Sequence, residues 1–139
     1  MIRQVRGLAC ALTLMSFAAV LVACSSSSSV PTPPAAASPE QVARVYLRAA
    51  VTGNCKLTAE LTLSHTWRWC TDPKLLHYRK VQKAWFSPAS ASGRNEECVP
   101  FLMDTHGSSD GSLPVGWQPW ELCLVRTNNG WRLWDQGQA

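Results

Sequence analysis

The stretch SPEQVARVYLRAA, residues 38–50, carries the signals of a helix start and predicts the first element of a folded domain. Ser38 is a good N-cap residue, Pro39 fits the first turn, and Gln41 stands at the third helical position of a capping box. Four apolar residues then recur at helical spacing and form one stripe: Val42, Val45, Tyr46 and Ala49. The glycine at position 53 is expected to end the helix.

Beyond this helix the pattern changes from helices to strands. Short helices are predicted at residues 56–62 and from Asp72 and Pro73 onward, where Leu75 and Leu76 follow. Four strands are predicted, at residues 79–87, 96–105, 117–127 and 131–136. Helices followed by a strand meander indicate an α+β domain, with N-terminal helices packed on an antiparallel sheet of about four strands.

The last two predicted strands form the best-defined hairpin, because Asn129 and Gly130 are a favoured turn pair. A two-residue turn at this pair places Arg126 beside Leu133. A three-residue loop with Gly130 in the left-handed conformation instead pairs Val125 with Leu133. The second register keeps one face of the hairpin apolar and is therefore the predicted one.

The first 23 residues predict a secretory signal peptide. Arg3 and Arg6 precede an apolar run without charged side chains, residues 7–23. The run leads into Leu21-Val22-Ala23-Cys24, which resembles the lipobox of bacterial lipoproteins. The resemblance implies cleavage before Cys24, a diacylglyceryl group on its sulfur, and a new amine open to acylation by a fatty acid such as palmitate.

Two other interpretations of this segment are an uncleaved membrane anchor and an ordinary cleaved signal peptide. A spanning helix needs about 18–20 apolar residues, slightly more than residues 7–23 supply. No Lys or Arg follows the segment until Arg44, so a stop-transfer flank is missing. We therefore expect a lipid-anchored protein on the outer face of the cytoplasmic membrane, held stably by its acyl chains.

Residues 24–37 predict a disordered tether. Five consecutive serines, residues 25–29, precede Pro31, Pro33 and Pro34, and no apolar period is present. Such a tether reaches on the order of 20–40 Å. A single domain, residues 38–139, follows it. In the chain from Cys24 onward eleven Lys and Arg stand against nine Asp and Glu, without a large basic cluster, which argues against nucleic-acid binding.

Four cysteines of an exported domain, Cys55, Cys70, Cys98 and Cys123, predict two disulfides. Sequence alone permits three connectivities. The positions 98 and 123 are symmetric about a turn pair, residues 110–111, so strand register favours a Cys98–Cys123 bridge and leaves Cys55 with Cys70. The cysteines lack CxxC spacing and the three histidines are scattered, so neither a metal nor another cofactor is expected.

The helix SPEQVARVYLRAA, the Gly53-Asn54 break and the closing strands, residues 122–127 and 130–135, together resemble the nuclear-transport-factor-two-like superfamily. The resemblance implies a cone, in which the first helix lies across a curved sheet and the open end forms a pocket. It also implies that the outer sheet face can serve for dimerisation. Members include isomerases, cyclases and dehydratases as well as noncatalytic binding domains, so the fold leaves the function open.

No catalytic residue can be carried over by motif, and tryptophan is the unusual residue of this chain, with seven copies. Trp85, Trp131 and Leu133 are expected in the core. Candidate ligand-binding residues are the apolar-stripe tyrosine and four tryptophans near prolines or cysteines: Tyr46, Trp67, Trp69, Trp117 and Trp120.

These patterns predict a membrane-anchored lipoprotein with a noncatalytic domain that binds a protein partner or a small apolar ligand. One alternative is a pocket enzyme of isomerase or cyclase type. Another is a structural envelope component that binds cell-wall polymer. A second copy of the chain is also a candidate partner.

Overall fold

The computed structural model describes residues 29–88 and 94–139. The predicted signal peptide, residues 1–23, lies outside the described residues, as do Cys24 and the serines of the tether up to position 28. Among the described helices, none is long and apolar enough to cross a bilayer.

Two short helices begin the domain. The first, α1 (Pro39–Val51), starts at Ser38 with the predicted capping box, in which Ser38 and Gln41 exchange hydrogen bonds. Gly53 follows the helix with a φ of 71°, a conformation that glycine adopts without strain. The second, α2 (Cys55–Glu60), begins at an Asn54 cap and is slightly shorter than predicted.

Five strands form one antiparallel sheet: β1 (Leu75–Arg79), β2 (Trp85–Ser87), β3 (Glu96–Thr105), β4 (Gly116–Thr127) and β5 (Gly130–Gly137). Their order is β1-β3-β4-β5, and β2 also pairs with β3. Helices packed on an antiparallel sheet are the predicted α+β arrangement. The sheet has one strand more than the four expected.

The additional strand arises because the predicted strand 79–87 is divided. The chain leaves the ladder at Lys80, whose φ of 53° is incompatible with a strand, and rejoins β3 at Trp85. The predicted third helix after Pro73 is wrong, because this segment enters β1. Leu75 is buried there opposite Thr105, so pairing with β3 replaces helical hydrogen bonding.

Strands β3 and β4 pair in the predicted register, with Cys98 opposite Cys123. The ladder ends at Thr105 and Gly116, and residues 106–115 form a loop rather than the near end of a hairpin. Pro114 lies in this loop, where its missing N–H is not required by a ladder.

The predicted three-residue loop between β4 and β5 is wrong. Thr127 pairs with Gly130, so the turn is formed by residues 128–129, one position before the Asn-Gly pair. Leu124 rather than Val125 faces Leu133, so this turn also keeps an apolar pair on the core side. A register shift follows, because β5 has one additional residue, Trp134, between the partners of Leu124 and Cys123.

Helix α1 packs on one face of the sheet, and the core lies between them. Alternating β3 residues, Val99, Phe101 and Met103, point into this core, together with Leu122 of β4. We call the opposite side of the sheet the outer face. Leu133 is buried as expected and Trp131 is half-buried, whereas Trp85 is 46% exposed on the outer face, so its placement in the core is wrong.

The proline-rich segment, residues 29–37, packs against the domain in part. Val30 is only 9% exposed and belongs to the core cluster. The Ala37 N–H donates to the Pro34 carbonyl at 2.9 Å in a turn. A Cβ added to Gly130 would lie 3.1 Å from the Ala35 Cα, so the segment approaches the β5 backbone closely where glycine leaves room.

Two disulfides are present, Cys55–Cys70 and Cys98–Cys123, the pairs that strand register predicts. They close loops of 15 and 25 residues. Loop-closure entropy gives each a stabilisation of about 3 kcal/mol or slightly more. The first ties α2 to the chain before β1, and the second joins two neighbouring strands on the outer face.

Candidate functional site

Three tryptophans from two distant parts of the sequence meet at one end of the core. The rings of Trp67 and Trp120 are stacked, with centroids 6.1 Å apart and planes inclined by 18°. Trp69 meets both edge-on, at 5.6 Å from Trp67 and 5.8 Å from Trp120. Edge-to-face and offset stacking are the favoured geometries of aromatic rings, so each ring restrains the other two.

One amide joins the three tryptophans. The Gln136 Oε1 accepts from the Nε1 atoms of Trp69 and Trp120, while its Nε2 donates to the Trp67 carbonyl and to Thr66 Oγ1, both at 2.7 Å. A primary amide has two donors and two acceptor positions, and all four are used here. Gln136 therefore positions the rings and has no hydrogen bond left for a ligand.

The segment that carries Trp67 and Trp69 is held at both ends. At its start, Leu61 and Leu63 exchange backbone hydrogen bonds with Leu133 of β5 at 2.8 and 2.9 Å. At its end, Cys70 is bonded to Cys55. Between these two ties the chain has no regular secondary structure, so the aromatic contacts fix its path.

Tyr46 lies behind the tryptophans on α1. Its ring is almost fully buried, and its hydroxyl donates to the Trp67 carbonyl at 3.2 Å. Burial raises the pKa of Tyr46 far above its ordinary value, so the phenol stays protonated at physiological pH. Tyr46 thus supports the segment that carries Trp67 and does not supply a base.

An open cleft of about 260 Å³ lies in front of these residues. We call it the tryptophan cleft; its lining residues are His65, Thr66, Trp67, Trp120 and Gln136. Two indole rings supply an apolar wall, and an exposed imidazole and a threonine hydroxyl stand at the rim. None of these five residues, which belong to the described part of the chain, carries a carboxylate. Such a wall favours contact with a flat apolar ring.

The structure brings four of the five candidate ligand-binding residues together and separates the fifth. Tyr46, Trp67, Trp69 and Trp120 form the cluster, with Tyr46 and Trp69 as its buried support. Trp117 lies three residues before Trp120 on β4 and therefore points to the outer face, where it is 46% exposed.

Strand alternation predicts the wrong face of the sheet for Gln136. Counting outward from the buried Leu133 assigns position 136 to the outer face. The additional residue in β5, Trp134, instead places Asp135 opposite Cys123 and Gln136 opposite Leu122, on the core side. The bulge, which carries no sequence signature here, thus turns the amide toward the tryptophans.

The chain matches no family model, no curated protein and no solved structure.

The outer face carries a His77 Nδ1–Asp104 Oδ2 contact of 3.2 Å, on the side of the sheet opposite the tryptophan cleft. Also on this face, Glu96 lies close to Cys98 and Cys123 in a spacing that could hold a metal ion. The Cys98 and Cys123 sulfurs form a disulfide with each other, so neither is available as a thiolate ligand.

Proposed function

We propose that this protein is a lipoprotein, attached through Cys24 to the outer face of the cytoplasmic membrane, whose domain binds a small apolar ligand in the tryptophan cleft without chemical turnover. The observation that carries the binding proposal is the stacked Trp67–Trp120 pair, held by Gln136, which forms one wall of an open cleft. Rigid aromatic surface of this kind binds with little loss of side-chain entropy.

The cleft supports binding better than catalysis. General acid–base chemistry needs a group whose pKa lies near the working pH within reach of the substrate. The described lining residues lack a carboxylate, and the Tyr46 phenol behind them stays protonated and donates to the Trp67 carbonyl. Among these described residues His65 is the one titratable side chain, and it stands exposed at the rim.

The size and shape of the cleft indicate the ligand class. A volume of about 260 Å³ lies just below the range of typical small-molecule pockets, about 300–1,000 Å³. A compound of one or two fused rings, with one polar group for His65 or Thr66, fits this description. A long acyl chain would extend beyond the cleft.

The test uses 2-naphthol as a ring probe on the mature protein in phosphatidylcholine nanodiscs, with tryptophan fluorescence as the readout. We expect Trp67→Ala to weaken binding about tenfold, because it removes a stacking partner and the wall of the cleft. Trp67→Phe keeps a ring and is expected to retain most of the affinity. Trp117→Ala is the matched control, since that ring lies on the outer face. Equal affinity of wild type and Trp67→Ala for 2-naphthol would show that the probe does not bind in the tryptophan cleft.

A second candidate is binding of a larger partner at the outer face. Trp85 and Trp117 are both 46% exposed there, and Pro119 between them in the sheet is also exposed. A protein partner, a second copy of the chain or a cell-wall polymer would cover such a surface. In the fluorescence experiment, loss of 2-naphthol binding in Trp117→Ala with retention in Trp67→Ala would assign the aromatic binding surface to the outer face and favour this candidate.

A further inference from the structure

A second cleft lies on the side of α1 that faces away from the sheet. The proline-rich segment forms one wall and α1 forms the other, and the space between them is about 310 Å³. We call it the tether groove; its lining residues are Pro31, Thr32, Pro33, Pro34, Ala37, Gln41, Arg44 and Val45. Proline rings, Ala37 and Val45 make this groove mainly apolar, and Arg44 stands at its edge.

The position of the groove along the chain limits its distance from the anchor. Pro31, part of its wall, follows Cys24 by seven residues. A fully extended chain spans at most about 3.6 Å per residue, so the groove lies within about 25 Å of the Cys24 sulfur. A lipid on Cys24 would therefore keep this side of the domain at the membrane surface.

Arg44 lines the groove, and further basic residues follow it on α1 and on the segment that packs beside it. Arg44 and Arg48 are exposed one turn apart on α1. The segment 80–84 is held against the same helix, because Arg44 Nη2 donates to the Val81 carbonyl at 3.0 Å and the Ala84 N–H donates to Glu40 Oε1 at 2.8 Å. This segment adds two more exposed cations, Lys80 and Lys83.

We call the four cations Arg44, Arg48, Lys80 and Lys83 the basic band. Glu40 is the one acid in the sequence of α1 and of residues 80–84, and it accepts the Ala84 N–H. The band and the groove thus present positive charge next to apolar surface, the combination that binds anionic lipid headgroups and the upper part of their acyl chains.

We propose that the tether groove and the basic band dock on the anionic lipid surface of the membrane that carries the anchor. This inference rests on the lipid anchor of the proposed function and adds a defined orientation. Helix α1 packs on the core side of the sheet, so a membrane on the far side of α1 leaves the outer face, with Trp85 and Trp117, directed away from the bilayer.

The test uses the mature lipoprotein, extracted from its host membrane and placed in nanodiscs of phosphatidylcholine alone or of phosphatidylcholine mixed equally with phosphatidylglycerol. Hydrogen exchange is measured in peptides that cover residues 32–45. We expect slower exchange in the anionic discs, and loss of the difference at about 0.5 M salt, where charges are screened within a few ångströms.

The test variant is Arg44→Gln combined with Lys83→Gln, and its matched control is Lys74→Gln combined with Arg126→Gln. Both remove two exposed positive charges, but the control charges lie outside the band. Each lost charge is expected to weaken the attraction about fivefold, so the test variant loses the protection and the control keeps it. Circular dichroism verifies that both variants are folded. The salt dependence of hydrogen exchange in the wild type tests the docking without any variant.

Three outcomes would overturn the docking proposal: equal exchange in both kinds of disc, protection at the outer face instead, or protection that grows with protein concentration and so reports a second copy. The intact mass of the same sample separates this failure from failure of the anchor. A chain without the diacylglyceryl mass refutes the anchor. Its co-sedimentation with phosphatidylglycerol vesicles, or the lack of it, then decides docking independently.

Discussion

The side chain of Gln136 shows how a single polar residue can organise an aromatic site. Trp69 and Trp120 are 1% and 7% exposed, and their indole N–H groups would be without a partner if the amide were absent. A buried donor that loses its partner destabilises a protein by about 1–3 kcal/mol. The amide also fixes the Trp67 carbonyl and thereby the wall of the tryptophan cleft.

We predict that Gln136→Leu lowers the free energy of unfolding by about 1–3 kcal/mol, because an apolar side chain of similar size leaves two indole N–H groups unpaired. Urea unfolding, followed by far-ultraviolet circular dichroism, measures the change. The matched control is Gln138→Leu, an exposed position two residues later, with an expected effect within about 0.5 kcal/mol. Equal urea midpoints for Gln136→Leu and wild type would contradict a structural role for the amide.

At the level of elements, local signals fixed α1 and long-range pairing decided the rest. The capping box at Ser38 and the glycine at position 53 are contained in a few neighbouring residues, so the bounds of α1 could be predicted closely. The strand β3 and its register with β4 could also be predicted, because alternation and a symmetric cysteine pair agree.

The misplaced elements depend on partners far away in sequence. Leu75 and Leu76 suit a helix or a strand, and β3 selects the strand. The break at Lys80 and the additional residue in β5 are backbone irregularities that side-chain types do not encode. Trp67, Trp69 and Trp120 could be named as candidates from residue type alone, but the position of Gln136 depends on the additional residue in β5 and could not be predicted.

Helix α1 is joined to the chain between β1 and β2 by an ionisable contact. The Ala84 N–H donates to Glu40 at 2.8 Å, and this bond, with that from Ser38, lowers the pKa of Glu40 below its ordinary value of 4.5. Because the folded pKa is lower than the unfolded one, the contact stabilises the fold fully above pH 4.5. The stabilisation is lost as the pH falls through the lowered pKa.

We predict that Glu40→Gln is less stable than wild type at pH 7 by about 0.5 kcal/mol, a small value because solvent screens a partly exposed group. The difference should decrease as the pH falls below 4.5 and disappear below the lowered pKa of Glu40, where the folded wild type is itself protonated. Urea unfolding at a series of pH values measures both the stability difference at pH 7 and its loss at low pH. Glu60→Gln is the control, since the Glu60 carboxylate lies 4.0 Å from the exposed Lys56 ammonium, a weak surface pair. A Glu40→Gln difference that persists unchanged at low pH would contradict this account.

At the scale of the whole molecule, the packed proline segment changes the meaning of the tether. Composition predicts a flexible spacer up to residue 37, and burial of Val30 cannot be read from a stretch of serines and prolines. If the chain is anchored at Cys24, Val30 follows the anchor by six positions, a span of at most about 22 Å. The domain would then stand close to the bilayer, with the tryptophan cleft and the outer face as its two surfaces for ligands.

The anchor itself is the prediction on which this arrangement depends. We expect the wild-type protein to stay in the membrane fraction through a high-salt wash, with a diacylglyceryl addition to the 116-residue mature chain in its intact mass. Each buried methylene contributes about 0.8 kcal/mol, so two acyl chains hold the protein stably.

Cys24→Ala should abolish the added mass and release the protein at high salt, which also screens the basic band. Cys10→Ala, inside the predicted signal peptide, should behave as wild type. Salt-resistant retention of a Cys24→Ala chain that has lost residues 1–23 would show that another feature holds the protein to the membrane.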